Sequence, residues 1–223
     1  MQTIRVADFE VRWVGDRGPA VVLFHGFGAP GTDLVPLAGA LKNERQYVFP
    51  AAPIRLPPAY GDGRAWWSLD MAALQQAMMT GIPRDLSGEH PETLPDLRGQ
   101  VHSLIHAVGE RAGVSGVHLG GFSQGAMLAT DYALHHRVRS LTILSGTYLA
   151  KDWWKPRLAE LADVPVFQSH GRQDAVLSIQ GADALRDALE EAKVQVAWHP
   201  FEGGHGIPPT VLQELDRFLD DAG

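Results

Sequence analysis

The chain has 223 residues, enough for one domain with a sizeable core. A formal charge of −7 with no run of Lys or Arg argues against nucleic acid or an anionic membrane as the main partner. Cysteine is absent, which removes disulfides, thiolate metal sites and a cysteine nucleophile together.

Residues 3–6 and 10–14 read as an early antiparallel pair of edge strands. This N-terminal stretch lacks a continuous apolar run, so no signal peptide is expected and the cytoplasm is the expected compartment. No window approaches the length of a membrane span, so no stable membrane insertion is expected. Residues 20–24 are continuously apolar, as buried parallel strands tend to be. Asp33 is placed to cap a helix running through Leu34, Leu37, Ala38 and Leu41. Residues 46–49 form the next strand, stopped by Pro50. Val101, Leu104, Ile105 and Val108 recur at helical spacing within 97–111, and Gly113 closes that helix. A strand at 116–119 and a helix at 126–134 follow, then strands at 141–144, 164–167 and 194–198, with helices at 181–192 and 211–219. Such alternation predicts one α/β domain over 1–223, with a mostly parallel central sheet and helices on both faces.

Residues 51–95 interrupt the alternation. They carry Trp66-Trp67 together with Met71, Met78 and Met79. An irregular apolar segment in a compact domain is expected to work as a lid or as a wall of an acyl pocket. Trp66, Trp67 and Met71 are its substrate-binding candidates.

Gly121-Phe122-Ser123-Gln124-Gly125 has the form G-x-S-x-G between a strand and a helix. A serine on such a turn is held in a strained conformation with its hydroxyl exposed, and the flanking glycines avoid collisions with neighbouring backbone. A serine needs a base, and the base needs an acid to orient it. Asp174 follows one later strand and His205 follows the next, giving the order Ser, Asp, His on successive loops at one sheet edge. Asp163 precedes its strand, Asp183 sits within a helix and His199 belongs to a strand, so these are weaker rivals. The oxyanion is expected to rest on the main-chain N–H groups of Gln124 and Phe27.

Gly26, Gly28 and Gly31 also satisfy the dinucleotide-binding pattern G-x-G-x-x-G. That reading needs an acidic residue at the end of the next strand, where this chain has Pro50-Ala51-Ala52-Pro53, and Pro30 stands where the phosphate-binding helix should begin. His102 and His106 have the spacing of metal ligands without a third partner, so no metal is expected. His25 reads as a loop organiser.

The chain resembles the phospholipase/carboxylesterase family of α/β-hydrolases, the group that includes acyl-protein thioesterases. The resemblance rests on His25-Gly26-Phe27-Gly28 with Asp33-Leu34, Phe49 to Pro53, Trp66-Trp67, Gly121 to Ala126, His170-Gly171 with Asp174, and Gly204-His205 with Ile207-Pro208. It implies a cofactor-free hydrolase of carboxylic esters or thioesters, with small acyl esters as typical assay substrates. Ser123 is then the nucleophile, His205 the base, Asp174 its partner, and Phe27 and Gln124 the oxyanion donors. Acyl thioesters, lysophospholipids and a non-catalytic ligand-binding role stay open beside it, as does a homodimer. Two features depart from the family pattern: Ala175-Val176 follows the acid instead of proline, and residues 51–95 are longer and more apolar.

Overall fold

The computed structural model describes residues 1–42 and 44–223, apart from the side chain of Met78, which lies outside that description. Two edge strands, β1 (Gln2–Val6) and β2 (Phe9–Val14), lead into the buried β3 (Ala20–Phe24). A single helical turn, α1 (Leu37–Ala40), then precedes β4 (Gln46–Pro50). A small ribbon, β5 (Ile54–Arg55) with β6 (Arg64–Ala65), and the helix α2 (Met71–Thr80) come before the long α3 (Leu94–Ala112). The second half runs through β7 (His118–Phe122), α4 (Gln124–Ala133), β8 (Ser140–Leu144), α5 (Lys151–Trp154), β9 (Val166–Gly171), α6 (Ile179–Glu191), β10 (Val196–Phe201) and α7 (Pro209–Asp221).

Eight strands form one sheet in the order β1-β2-β4-β3-β7-β8-β9-β10. β1 and β2 pair antiparallel, β2 meets β4 antiparallel, and every pairing from β4 to β10 is parallel. β3 lies between β4 and β7, so the chain departs to one side after β3 and resumes on the other side at β7. The loops leaving β3 and β7 diverge there, and open α/β sheets place their ligands in the resulting crevice.

Strand alternation sends side chains to two cores. In β3, Ala20, Val22 and Phe24 join the core under α3, α4 and α6, while Val21 and Leu23 join the smaller one under α1 and α7. α4 is buried on every side. It carries the pairing of Asp131 with Arg98 (Nε to Oδ2, 2.7 Å), and Trp154 Nε1 also donates to that carboxylate at 3.0 Å. α7 needs only one apolar stripe, and Val211, Leu215 and Leu219 supply it at i, i+4 and i+8.

Three expectations need correction. The helix expected from Asp33 shrinks to the four residues of α1, and Asp33 caps nothing, because turns with i to i+3 bonds occupy the chain before it. Residues 51–95 carry regular structure: Asp70 caps α2 by accepting from the Ala72 and Ala73 amides, and Gly81 ends it in a left-handed conformation. Strands β7, β9 and β10 run three to four residues further than expected. The added stretches contain Gly120, Gly121, Ser169, Gly171 and Pro200, residue types that pattern reading assigns to loops.

Candidate active site

Ser123 directly follows β7 and directly precedes α4, with φ 55° and ψ −118°. An L-residue rarely holds such angles, and it persists here because the surroundings dictate it. The Ser123 amide donates to Leu144 O at 2.8 Å, and its carbonyl accepts from the Ala126 and Met127 amides. A Cβ on Gly121 would stand 2.4 Å from the Gly125 carbonyl carbon, and one on Gly125 would stand 2.1 Å from Phe24 O. The turn is therefore closed so tightly that only glycine fits two positions to either side of the serine. The first amides of α4 have no acceptor within their own helix and face the serine's end.

Asp174 lies three residues beyond β9 and His205 four beyond β10. His205 Nδ1 donates to Asp174 Oδ2 at 2.7 Å. The Asp174 side chain is fully buried while that of His205 keeps 17% exposure, so the imidazole reaches open space that the carboxylate does not. Asp174 Oδ1 accepts from the Val176 and Leu177 amides at 2.8 and 3.0 Å. His170, buried in β9, brings Nε2 to 3.2 Å from Asp174 Oδ2 and 2.9 Å from Leu177 O. Both neighbours are acceptors, so Nε2 carries the proton. Burial raises the Asp174 pKa, but the hydrogen bonds from His170 and His205, the His205 charge and the Leu177 amide outweigh it and hold the carboxyl well below the usual range.

The loop after β3 is organised by His25. The Ala52 amide donates to its Nε2 at 3.0 Å, so Nδ1 bears the proton and donates to Gly26 O at 2.8 Å. Burial pushes the His25 pKa down, consistent with a neutral ring. Trp66 Nε1 donates to His25 O at 2.8 Å, and its ring meets Phe24 edge-on at 4.9 Å between centroids. The Gln124 carboxamide accepts from the Trp66 amide at 3.0 Å and donates to Trp67 O at 2.9 Å. The buried Ser145, with φ 49°, donates its hydroxyl to Gly206 O at 3.2 Å and so holds the loop that carries His205.

Ser123, Gln124, Phe27 and His205 line one cavity of about 230 Å³, with Leu69, Leu74, Arg84, Leu86, Met127, Val176 and Leu177. The Phe122 and His205 rings lie 4.8 Å apart between centroids. Trp66, Trp67 and Met71 do not line this cavity. Trp66 and Trp67 are buried, the Trp66 indole N–H finding its acceptor in His25 O beneath the loop. Met71 is exposed on the first turn of α2, and Leu74, one turn on, faces the cavity instead. Among the described residues no group of three or more His, Cys, Asp or Glu is arranged to hold a metal. His102 instead stacks on His136 at 4.3 Å, and its Nδ1 is 3.2 Å from the Tyr132 hydroxyl.

Residues 15–222 match the pattern described as Phospholipase/Carboxylesterase. The chain belongs to that family of α/β-hydrolases. Among phospholipase/carboxylesterase relatives, acyl-protein thioesterase 1 of Eremothecium gossypii is 27% identical over 226 residues, spanning 90% of this chain and 86% of the relative. Acyl-protein thioesterase 1 of Kluyveromyces lactis is 28% identical over 221 residues, spanning 91% of each. The solved Bacillus cereus carboxylesterase shares the fold with a TM-score of 0.76 at 18% identity, covering 97% of this chain and 96% of its own. Zea mays acyl-protein thioesterase 2 superposes with a TM-score of 0.75 at 20% identity over 95% and 98%. No helix among the described residues is long and apolar enough to cross a membrane.

Proposed function

We propose that this family member is a serine carboxylesterase that hydrolyses small carboxylic esters through an acyl-enzyme on Ser123. The observation that carries the reading is the 2.7 Å bond from His205 to Asp174, with Ser123 and His205 on the walls of one cavity. His205 Nε2 takes the proton of Ser123 Oγ as that oxygen attacks the ester carbonyl. The main-chain N–H groups of Phe27 and Gln124 receive the developing oxyanion, a role worth roughly 3–4 kcal/mol per donor. The alcohol departs with the proton held by His205. Water activated by the same imidazole then releases the acid. Asp174 holds the ring with Nδ1 protonated and Nε2 free, and stabilises its charge when the proton arrives.

The chain acts as one domain, and residues 51–95 build a wall of the acyl pocket through Leu69, Leu74 and Leu86. Thioester hydrolysis is the second reading, favoured by 27% identity to an acyl-protein thioesterase across 90% of the chain. The deciding experiment treats the protein with a fluorophosphonate, maps the adduct, and measures turnover of p-nitrophenyl esters beside matched thioesters. One adduct on Ser123 with ester turnover supports the proposal. Absence of both removes it, and faster thioester cleavage at matched chain length moves the assignment to the second reading.

A further inference from the structure

Among the described residues that line the serine cavity, Arg84 is the only Lys, Arg, Asp or Glu. It stands among Leu69, Leu74, Leu86, Met127 and Val176, and only 9% of its side chain is exposed. A cation so placed loses part of its hydration and gains from a charged partner. Compensation within the protein is partial. Arg84 Nη2 donates to Glu89 Oε1 at 2.5 Å, but Glu89 is 41% exposed and lines a different cavity, with Trp67, Ser68, His90 and Thr93. The remaining guanidinium N–H groups have no acceptor among the described residues, although arginine offers five donors in a planar fork.

The placement of Arg84 is built rather than incidental. Its backbone pairs with Leu177 in an isolated parallel bridge, and its amide is directed at Val176 O. Val176 and Leu177 are the residues whose amides bind Asp174. The Arg84 backbone is thus tied, through one parallel bridge, to the segment that positions the imidazole.

We propose that Arg84 selects esters whose acyl group ends in a carboxylate, that is, hemi-esters of dicarboxylic acids. The unfilled donors match a carboxylate held side-on in two charge-assisted bonds, and the surrounding aliphatic side chains match the methylene chain leading from it to the ester carbonyl. Glu89 is the competitor that a substrate carboxylate displaces or shares. This proposal rests on the assignment of Ser123 as nucleophile.

The test compares monoethyl succinate, glutarate and adipate with ethyl butanoate, pentanoate and hexanoate, in wild type and in R84Q, R84K and E89Q. The expected result is that wild type prefers the hemi-ester of the best-fitting length, and that R84Q lowers the ratio of hemi-ester to neutral-ester kcat/KM by roughly 30-fold, the factor of a charge-assisted bond. R84K restores part of the ratio, because a point charge lacks the fork. E89Q raises it by freeing the guanidinium. A wild-type preference for neutral esters at every length, or a ratio unmoved by R84Q, overturns the proposal and leaves Arg84 as a pin for its loop. Binding of monoethyl adipate against ethyl hexanoate to S123A, followed by calorimetry, separates the two assignments. Tighter hemi-ester binding that disappears in S123A/R84Q upholds the Arg84 proposal even where no ester is turned over. Equal binding of the two compounds rejects it while leaving the role of Ser123 to the turnover data.

Discussion

The side-chain amide of Gln124 bridges the main chains of Trp66 and Trp67, accepting at 3.0 Å from one and donating at 2.9 Å to the other. One residue therefore serves two ends: its backbone N–H opens α4 beside Ser123, and its side chain ties the 51–95 segment to that point. Gln124→Ala keeps the backbone donor and leaves a buried N–H and a buried C=O unpaired. We expect a loss of about 2–4 kcal/mol in urea unfolding and a fall in turnover from a displaced segment. Unchanged stability would show that the bridge has little weight.

Ser123 combines chemistry with strain. Ser123→Ala should abolish ester turnover by several orders of magnitude while keeping the fold. Ser123→Gly should abolish it too, yet melt higher than Ser123→Ala, because glycine accepts φ 55° without the cost of roughly 1 kcal/mol carried by an L-residue. Equal melting temperatures would mean that the elbow stores no strain.

Asp174→Asn preserves an acceptor for the Val176 and Leu177 amides but turns an N–H toward His205 Nδ1. The imidazole then holds its other tautomer, with the proton on the nitrogen that should accept from serine. A loss in kcat of about 10⁴ with little change in circular dichroism is expected. Retention of a tenth of wild-type kcat would argue against this acid.

At the opposite end of β7 from Ser123, His118 is buried with Nδ1 2.8 Å from Ser140 Oγ and with no partner for Nε2 among the described residues. Burial, followed by the charges of Arg139 and Arg45, lowers its pKa from 6.5 to about 4. Between those values an unfolded chain binds a proton that the folded chain refuses, so the contribution is present above pH 6.5 and is lost as pH falls towards 4. The lowered pKa of His25 adds in the same direction. Wild type should lose about 2 kcal/mol from His118 between pH 6.5 and 4.5, and His118→Gln should flatten that slope. Parallel slopes for the two proteins in urea titrations would exclude His118 as their source.

Much of the fold is legible along the chain because it rests on local periodicity. A continuous apolar run marks β3, helical spacing marks α3 and α7, and Gly121 and Gly125 mark a turn that admits no Cβ at either position. Since each parallel strand ends at the same sheet edge, the order of Ser123, Asp174 and His205 along the sequence was enough to bring them to one side of the sheet. What no local pattern carries is the direction in which a side chain is consumed by distant partners. Trp66 and Trp67 read as pocket residues and became core, because His25 O and the Gln124 carboxamide, 41 and 57 or more residues away, satisfy their polar atoms. His170 stood in the sequence only within the His170-Gly171 match and Arg84 only within the 51–95 segment, and assembly set one against Asp174 and the other in the serine cavity. Residue types and spacings by themselves determined the sheet, the turn and the order of reactive groups. Tertiary packing decided which side chains face the cavity, because burial and hydrogen-bond satisfaction are settled between segments far apart in the chain.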